Sequence, residues 1–238
     1  MKILLFGGSG KLGKSIQKSV QRLSPQIEIV APSHVTCDIT NKRQVKRCFD
    51  ETLPDVVINS AAIVGLKECE SDKEKAWQVN VFGNRNIVRC CHDTSTRMVY
   101  ISSAAIFDGK NGNYKETDVP TPTFYYALTK TVAEEAVLGL KDKLVIRLDF
   151  FSLDKLKYET VFTDHYTSKI PVNLAARAVL QLAIGKTRGI INIGQERKSL
   201  FDILKKYYPS IKPIKISEST MPNFPKDISL NLTKFILL

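Results

Sequence analysis

Tyr126-Ala-Leu-Thr-Lys130 is the stretch best suited to chemistry. On a helix, residues four apart share a face, so the phenol and the ammonium would be neighbours. An ammonium favours the phenolate and lowers a pKa that starts near ~10. A tyrosine tuned in this way gives a proton to a carbonyl oxygen, or takes one from an alcohol, near neutral pH. Alone, the pattern is common, and in most chains it marks an exposed aromatic beside a lysine. Here it follows Ser103 by 23 residues, and Ser103 closes the apolar segment RMVYISS. The three residues make a proton-transfer set. Ser103 hydrogen-bonds a substrate oxygen, Tyr126 moves the proton, and Lys130 tunes the tyrosine and can hold a ribose hydroxyl. Tyr125 is the competing phenol, but it is five residues from Lys130 and turned off that face.

The partner for such chemistry is suggested at the other end of the chain, which begins MKILLFGGSGKLG. Ile3 to Phe6 form an unbroken apolar run, as in a strand buried on both faces of a parallel sheet. Glycines follow at Gly7, Gly8, Gly10 and Gly13, in the registers Gly7/Gly10/Gly13 or Gly8/Gly10/Gly13. Then comes KSIQKSVQRL, with Ile16, Val20 and Leu23 on one helical stripe. Strand, glycine turn and helix place backbone N–H groups and a helix N-terminus where a pyrophosphate can sit. A plain tight turn is the alternative, and it needs one glycine rather than four.

The elements that must position these groups alternate along the chain. Strands are predicted over 27–30, 54–59, 97–103, 143–148, 189–194 and, last, within IKPIKI. Helices are predicted over 41–51 with Asn41 or Thr40 as N-cap, over 74–91, from about 124 to 138, over 173–185, and in SLFDILKKYY. The stretch from Asp149 to Pro171 reads as irregular. Apolar strands alternating with helices imply an α/β fold: a doubly wound parallel sheet of Rossmann type, with ligands at the C-terminal ends of the strands. Residues 1–148 form the dinucleotide-binding part with the catalytic set. Residues 149–238 form a small, shortened substrate lobe integrated with it.

Bulk properties narrow the class. No stretch approaches the ~20 apolar residues of a membrane helix, and the apolar run before Gly7 is too short for a signal-peptide core. A cytoplasmic protein without a membrane partner is the expectation. Cys37, Cys48, Cys69, Cys90 and Cys91 form no CxxC pair, and His34, His92 and His165 are scattered, so the cysteines read as free core thiols and no metal site is expected. The formal charge of +11 would suit an anionic ligand. No basic run reaches five residues, however, and no nucleic-acid-binding signature is present, so a lysine-rich solvated surface is the reading and no nucleic-acid partner is expected.

With these residues in view, the chain resembles the extended short-chain dehydrogenase/reductases, and within them the sugar-nucleotide reductases and epimerases, the dTDP-4-dehydrorhamnose reductases above all. The resemblance rests on GGSGKLG (7–13), DIT (38–40), PDVVINSAA (54–62), AWQVNVFGNRNIV (76–88), the SS-AAIFDG segment (102–109), Y-ETD-P-P (114–122) and YALTK (126–130), with looser matches at IPVNLA, GIINIG and PKDISLNLTK. It implies NADP, alternatively NAD, as cofactor and a nucleotide-sugar substrate, and it suggests cell-surface polysaccharide synthesis. It places Lys11, Leu12 and Gly13 at the pyrophosphate, with Gly7 and Gly10 completing the turn. It places Asp38 and Ile39 at the adenine, Ala62, Ile63 and Val64 at the nicotinamide riboside with Asn80 nearby, and Tyr126 and Lys130 against both cofactor and substrate. Asp38 also fits a plain helix-start residue, and Asn80 equally fits a structural hydrogen-bonder.

Three departures from that family matter. The second strand ends Ala31-Pro32-Ser33-His34, without the acid that would hold a ribose 2′-hydroxyl, which leans toward NADP. Ala104 and Ala105 stand where related reductases carry an acidic residue and an aromatic, and sugar dehydratases carry two acids, so β-elimination lacks its acid and base. About fifteen residues separate Leu148 from the next matching segment, which shortens the substrate cap. The leading expectation is a reductase of a nucleotide-linked keto sugar. The alternatives are an epimerase that keeps its NAD, and a non-catalytic cofactor-binding regulatory subunit. The tail Phe235–Leu238 is a candidate homodimer contact, against the commoner outcome of packing on its own domain.

Overall fold

The computed structural model describes residues 1–154, 159–220 and 224–236. Its centre is a six-stranded sheet made of β1 (Lys2–Phe6), β2 (Glu28–Val30), β3 (Val56–Asn59), β4 (Arg97–Ile101), β5 (Lys143–Arg147) and β6 (Gly189–Asn192). The strands run in the order β6-β5-β4-β3-β1-β2, and every pairing is parallel. Ile3, Leu4, Leu5, Val57, Ile58, Val99 and Val145 are all fully buried. Successive strand residues face opposite sides, so both faces of the sheet are covered and the apolar runs need no polar alternation.

One face is covered by α1 (Lys11–Leu23) and α5 (Val172–Ile184), which bring Ile16, Val20 and Val179 onto Ile3, Leu5 and Ile58. The other face is covered by α2 (Lys42–Thr52), α3 (Asn84–Thr94) and α4 (Tyr125–Leu138), through Val45, Phe49, Ile87 and Val137. Asn41 caps α2, its Oδ1 accepting from the amides of Arg43 and Gln44 at 3.0 and 3.2 Å. All five cysteines are buried and unpaired, as core residues. No helix among the described residues is long and apolar enough to cross a membrane.

Two expectations change in detail. The long helix predicted over 74–91 is helical throughout, but it is α at Lys73–Trp77, widens to a π turn at Gln78–Gly83, and continues as α3. The wide turn contains Asn80. IKPIKI does form a strand at Lys212–Ile214, yet it pairs with Thr160–Phe162 rather than with the central sheet. The segment read as irregular, 149–171, therefore holds short strands within its described residues, and Phe150–Phe151 pairs with Ile170–Pro171. Such two- and three-residue pairings leave no periodic trace in the sequence.

The C-terminal segment then returns to the sheet's ligand edge. The Tyr114 amide donates to the Ser229 carbonyl at 2.9 Å, Asn231 N–H donates to the Tyr114 carbonyl at 2.7 Å, and Asp227 N–H donates to the Gly109 carbonyl at 3.0 Å. Beneath them the Phe107 and Tyr114 rings stack, with centroids 4.1 Å apart. In the tail, Phe235 packs on the core of its own chain. Leu237 and Leu238 lie outside the described residues.

Candidate active site

The glycine turn is built by close approach. Gly7 has φ +81°, and a Cβ there would lie 2.5 Å from the Ala61 amide nitrogen, while a Cβ on Gly8 would lie 2.7 Å from the Ala31 Cβ, so both glycines are required by close approach. A Cβ on Gly13 would lie 2.2 Å from the Gly7 carbonyl oxygen. The first turn of α1 therefore sits directly on the loop, with Gly10 N–H donating to the Gly7 carbonyl at 3.0 Å. Gln17 reaches back to the Gly8 carbonyl at 2.8 Å and holds the loop from the helix. Gly10 caps α1 without a side-chain acceptor, and the first turn contains no acid. Its leading amides and the positive end of its dipole stay available to an anion. Lys11 is exposed at this end, while Leu12 and Gly13 are buried beneath it. This cradle suits the pyrophosphate of a dinucleotide.

Asp38 and Ile39 follow the second strand. The Asp38 carboxylate accepts from the Thr40 amide and hydroxyl at 2.9 and 2.8 Å. Burial pushes its pKa up, but the hydrogen bonds from Thr40 and the neighbouring His34 outweigh it and leave it below the ordinary value. Ile39 is buried under the π turn, where a Cβ on Gly83 would meet its side chain at 2.7 Å. A shallow groove lined by His34, Asp38, Thr40, Lys75, Gln78 and Val79 runs along this side.

Ala62, Ile63 and Val64 lie beyond the end of β3. Asn80 fixes them: its Oδ1 accepts from Ile63 N–H at 2.8 Å, and its Nδ2 donates to the Ile63 carbonyl at 3.0 Å and to Thr129 Oγ1 at 2.9 Å. Asn80 is 2 % exposed, and both of its donor hydrogens are used within the protein. It acts on the site by holding a loop and by tying that loop to α4, the structural alternative left open by its sequence.

Ser103, Tyr126 and Lys130 come together where β4 ends against α4. Ser103 Oγ accepts from the Ala105 amide at 3.1 Å, and its hydroxyl faces the Tyr126 phenol closely enough to act on its pKa. Tyr126 is half-buried, whereas Lys130 is buried and its Nζ donates to the Ile101 carbonyl at 2.6 Å. The ammonium stands 4.2 Å from the centroid of the Tyr100 ring. Tyr125 points elsewhere: it packs on Trp77, and its amide donates to Glu70.

The electrostatics correct one expectation. Burial raises Tyr126 to about 12, opposed by the Ser103 hydroxyl and reinforced by Asp149 and Cys69. Burial lowers Lys130 to about 7, and the Glu134 carboxylate resists that change. The ammonium does not bring the phenol's pKa down toward neutral pH in the protein alone, because desolvation acts against both charged forms at once.

Several polar groups around the set had no counterpart in the sequence reading. Asp149 pairs with Lys169 at 2.6 Å and accepts from Thr167 at 3.1 Å, just beyond the end of β5. His165 is buried, with Nδ1 2.7 Å from the Pro225 carbonyl, and burial lowers its pKa. Glu134 and Arg147 form an ion pair at 2.6 Å with both side chains 2 % exposed. Glu134 was findable, since it continues the Tyr126–Lys130 stripe by one more turn. Arg147 at the end of an apolar strand gave a weaker signal.

The model of the RmlD substrate binding domain family matches residues 1–183. The chain belongs to this family. A relative, the dTDP-4-dehydrorhamnose reductase of Aggregatibacter actinomycetemcomitans, is 32 % identical over 146 residues, 61 % of this chain and 49 % of that one. The chain thus spans about half the length of the curated relatives it matches. Among solved structures, a hypothetical dTDP-4-dehydrorhamnose reductase from Sulfolobus tokodaii is 30 % identical with a TM-score of 0.85, covering 100 % of this chain and 94 % of that one. The dTDP-4-dehydrorhamnose reductase of Bacillus anthracis in complex with NADP superimposes with a TM-score of 0.89 over 99 % of this chain and 92 % of its own, at 22 % identity, a likeness of fold. Within the RmlD family fold, the glycine turn and the Ser103–Tyr126–Lys130 set occupy the same edge of the sheet.

Proposed function

We propose that the chain is an NADP-dependent reductase, with NAD as the alternative cofactor, acting on the keto group of a nucleotide-linked sugar in the manner of a dTDP-4-dehydrorhamnose reductase. The observation that carries this is that Ser103, at the end of β4, faces Tyr126 on α4, with Lys130 one turn along the same helix face and the glycine turn at the same C-terminal edge of the sheet. Reduced nicotinamide supplies the hydride when it is bound. The residues do the rest. Lys11, Leu12 and Gly13 hold the pyrophosphate at the start of α1, with Gly7 and Gly10 forming the turn. Asp38 and Ile39 bound the adenine side, and Ala62, Ile63 and Val64, held by Asn80, bound the nicotinamide riboside. Ser103 orients the substrate carbonyl oxygen, and Tyr126 donates its phenolic proton to that oxygen as the carbon is reduced.

Supporting NADP, the end of β2 offers Ser33 and His34 and no carboxylate. The short segments after Leu148, with Asp149, His165 and Lys169, form the substrate side of residues 149–238. The test is oxidation of NADPH in the presence of dTDP-linked 4-keto sugars, with Tyr126→Phe as the comparison. Loss of the proton donor lowers kcat by about 100-fold or more. No turnover with any such sugar, and a Tyr126→Phe protein indistinguishable from wild type, would sink the reading. Tightly retained NAD with no net consumption would replace it with an epimerase.

A further inference from the structure

The strand end and the catalytic helix meet at three consecutive residues. The Ile101 carbonyl receives Lys130, the Ser102 hydroxyl donates to Glu134 Oε2 at 2.6 Å, and Ser103 meets Tyr126. On α4 the three partners are spaced four residues apart, so a single helical stripe grips 101, 102 and 103 together. Glu134 closes that stripe and is the only one of the three without a role in the proposed chemistry. Its other oxygen accepts from Arg147 Nη2 at 2.6 Å and Nε at 3.1 Å. Arg147 in turn donates to the Glu116 and Asp118 carbonyls at 3.2 and 3.5 Å and lies 5.3 Å from the Phe107 ring centroid. The carboxylate thus joins α4, the ends of β4 and β5, and the loop leading into α4.

We propose that Glu134 is a positioning residue for the reaction: its buried carboxylate, clamped by Ser102 and Arg147, sets where Ser103 stands and fixes a negative charge one helical turn from Lys130. This rests on the reductase reading for its kinetic consequences, but the geometry stands without it. A buried carboxylate with paired, directional donors is fixed in place, since leaving either partner unpaired there is costly. Ser102 cannot shift without breaking that bond, and Ser103 is its chain neighbour. Lys130 is faced by the Ile101 carbonyl and the Tyr100 ring from β4, and by Glu134 from its own helix. Of these groups only Glu134 carries a formal negative charge. Glu134 is faced by Ser102 and Tyr100 from the strand, by Arg147 from β5 and by Lys130 from α4.

The test uses Glu134→Gln, Glu134→Asp and Ser102→Ala. With Glu134→Gln, kcat falls by about 100-fold, as for a displaced catalytic group, with KM for the keto sugar little changed. The alkaline limb of kcat/KM moves to lower pH, and Glu134→Asp, which retains the charge, brings the limb back toward wild type while kcat stays low. Independently of substrate, Lys130 is titrated by NMR in lysine-labelled protein. Its midpoint falls in Glu134→Gln and stays near wild type in Glu134→Asp. An unmoved midpoint in folded Glu134→Gln overturns the proposal. If Glu134→Gln does not fold, Ser102→Ala decides: a lowered kcat at unchanged KM supports the clamp, and full kcat overturns it. Wild-type protein inert toward every keto sugar, yet with the expected Lys130 shift, removes the reductase reading and leaves the Glu134 assignment standing.

Discussion

Lys130 donates to the carbonyl of Ile101 at 2.6 Å. An ammonium spent on a strand-end carbonyl in a buried site keeps its hydrogen bond but loses its water. Burial takes Lys130 down to about 7, while it takes Tyr126 up to about 12. The two shifts have opposite meanings for a reductase. A tyrosine that must donate a proton is kept protonated by a raised pKa, so Tyr126 does not limit reduction below pH 11 or so. A lysine that must be charged is limited by a lowered one.

The alkaline limb of kcat/KM for reduction is therefore expected near pH 7, within about one unit, with activity lost as Lys130 deprotonates and a slope approaching tenfold per pH unit. A pH–rate profile recorded with limiting keto sugar checks this. A plateau that continues to pH 10 would assign the limb to Tyr126 instead.

Gly13 gives a prediction about the cofactor cradle. Its missing side chain would collide with the backbone carbonyl of Gly7 at 2.2 Å, whereas a Cβ on Gly10 meets nothing closer than 3.3 Å. Gly13→Ala must push α1 away from the loop, costing about 1–3 kcal/mol in a packed interior. Gly10→Ala sits at a cap and costs about 0.5 kcal/mol. Urea unfolding separates the two. Thermal stabilisation by NADPH, which reports affinity, disappears in Gly13→Ala. Equal stability of the two variants would mean that the close approach does not constrain the helix.

Cofactor preference can be tested at the end of β2. Ser33 there hydrogen-bonds Thr36, with the two hydroxyl oxygens 3.1 Å apart, and His34 is exposed next to it. With no carboxylate on Ala31–His34 to hold a free 2′-hydroxyl, NADPH is expected to raise Tm more than NADH does. Ser33→Asp introduces the acid that favours a free 2′-hydroxyl, and it should reverse the order of the two shifts. A Ser33→Asp protein that still prefers NADPH would move the discriminating contact away from this strand end.

Much of the fold was legible in the sequence for a physical reason. Strands such as Leu4–Phe6 and Val56–Ile58 are buried on both faces and read as unbroken apolar runs, while α1 and α2 carry clean stripes and, at Asn41, a capping side chain. The candidate site was legible because a glycine turn, a strand-end serine and a helix-spaced Tyr/Lys pair fall in a fixed order. What stayed hidden depends on tertiary contact. The π turn at Gln78–Gly83 has the composition of an ordinary helix. Lys212–Ile214 looks like a sheet strand, but it pairs with Thr160–Phe162 outside the central sheet. The direction of the Tyr126 shift could not be read from i,i+4 spacing, because spacing gives the neighbour and not the desolvation. Glu134 and Arg147 lie 13 residues apart in the chain and become a pair only when α4 packs across β5.

Asn80 separates holding a loop from touching a ligand. Its amide makes three hydrogen bonds, two to the backbone of Ile63 and one to Thr129 on α4. Removing it leaves buried partners unsatisfied, so Asn80→Ala is expected to lose about 2–3 kcal/mol of stability. Because the released segment carries Ala62, Ile63 and Val64, amide exchange at Ile63 should speed up in the protein without cofactor, and NADPH affinity should fall together with it. If the asparagine served only as a cofactor contact, binding would weaken while the urea midpoint and Ile63 exchange stayed at wild-type values. That pattern would return Asn80 to the ligand-binding role.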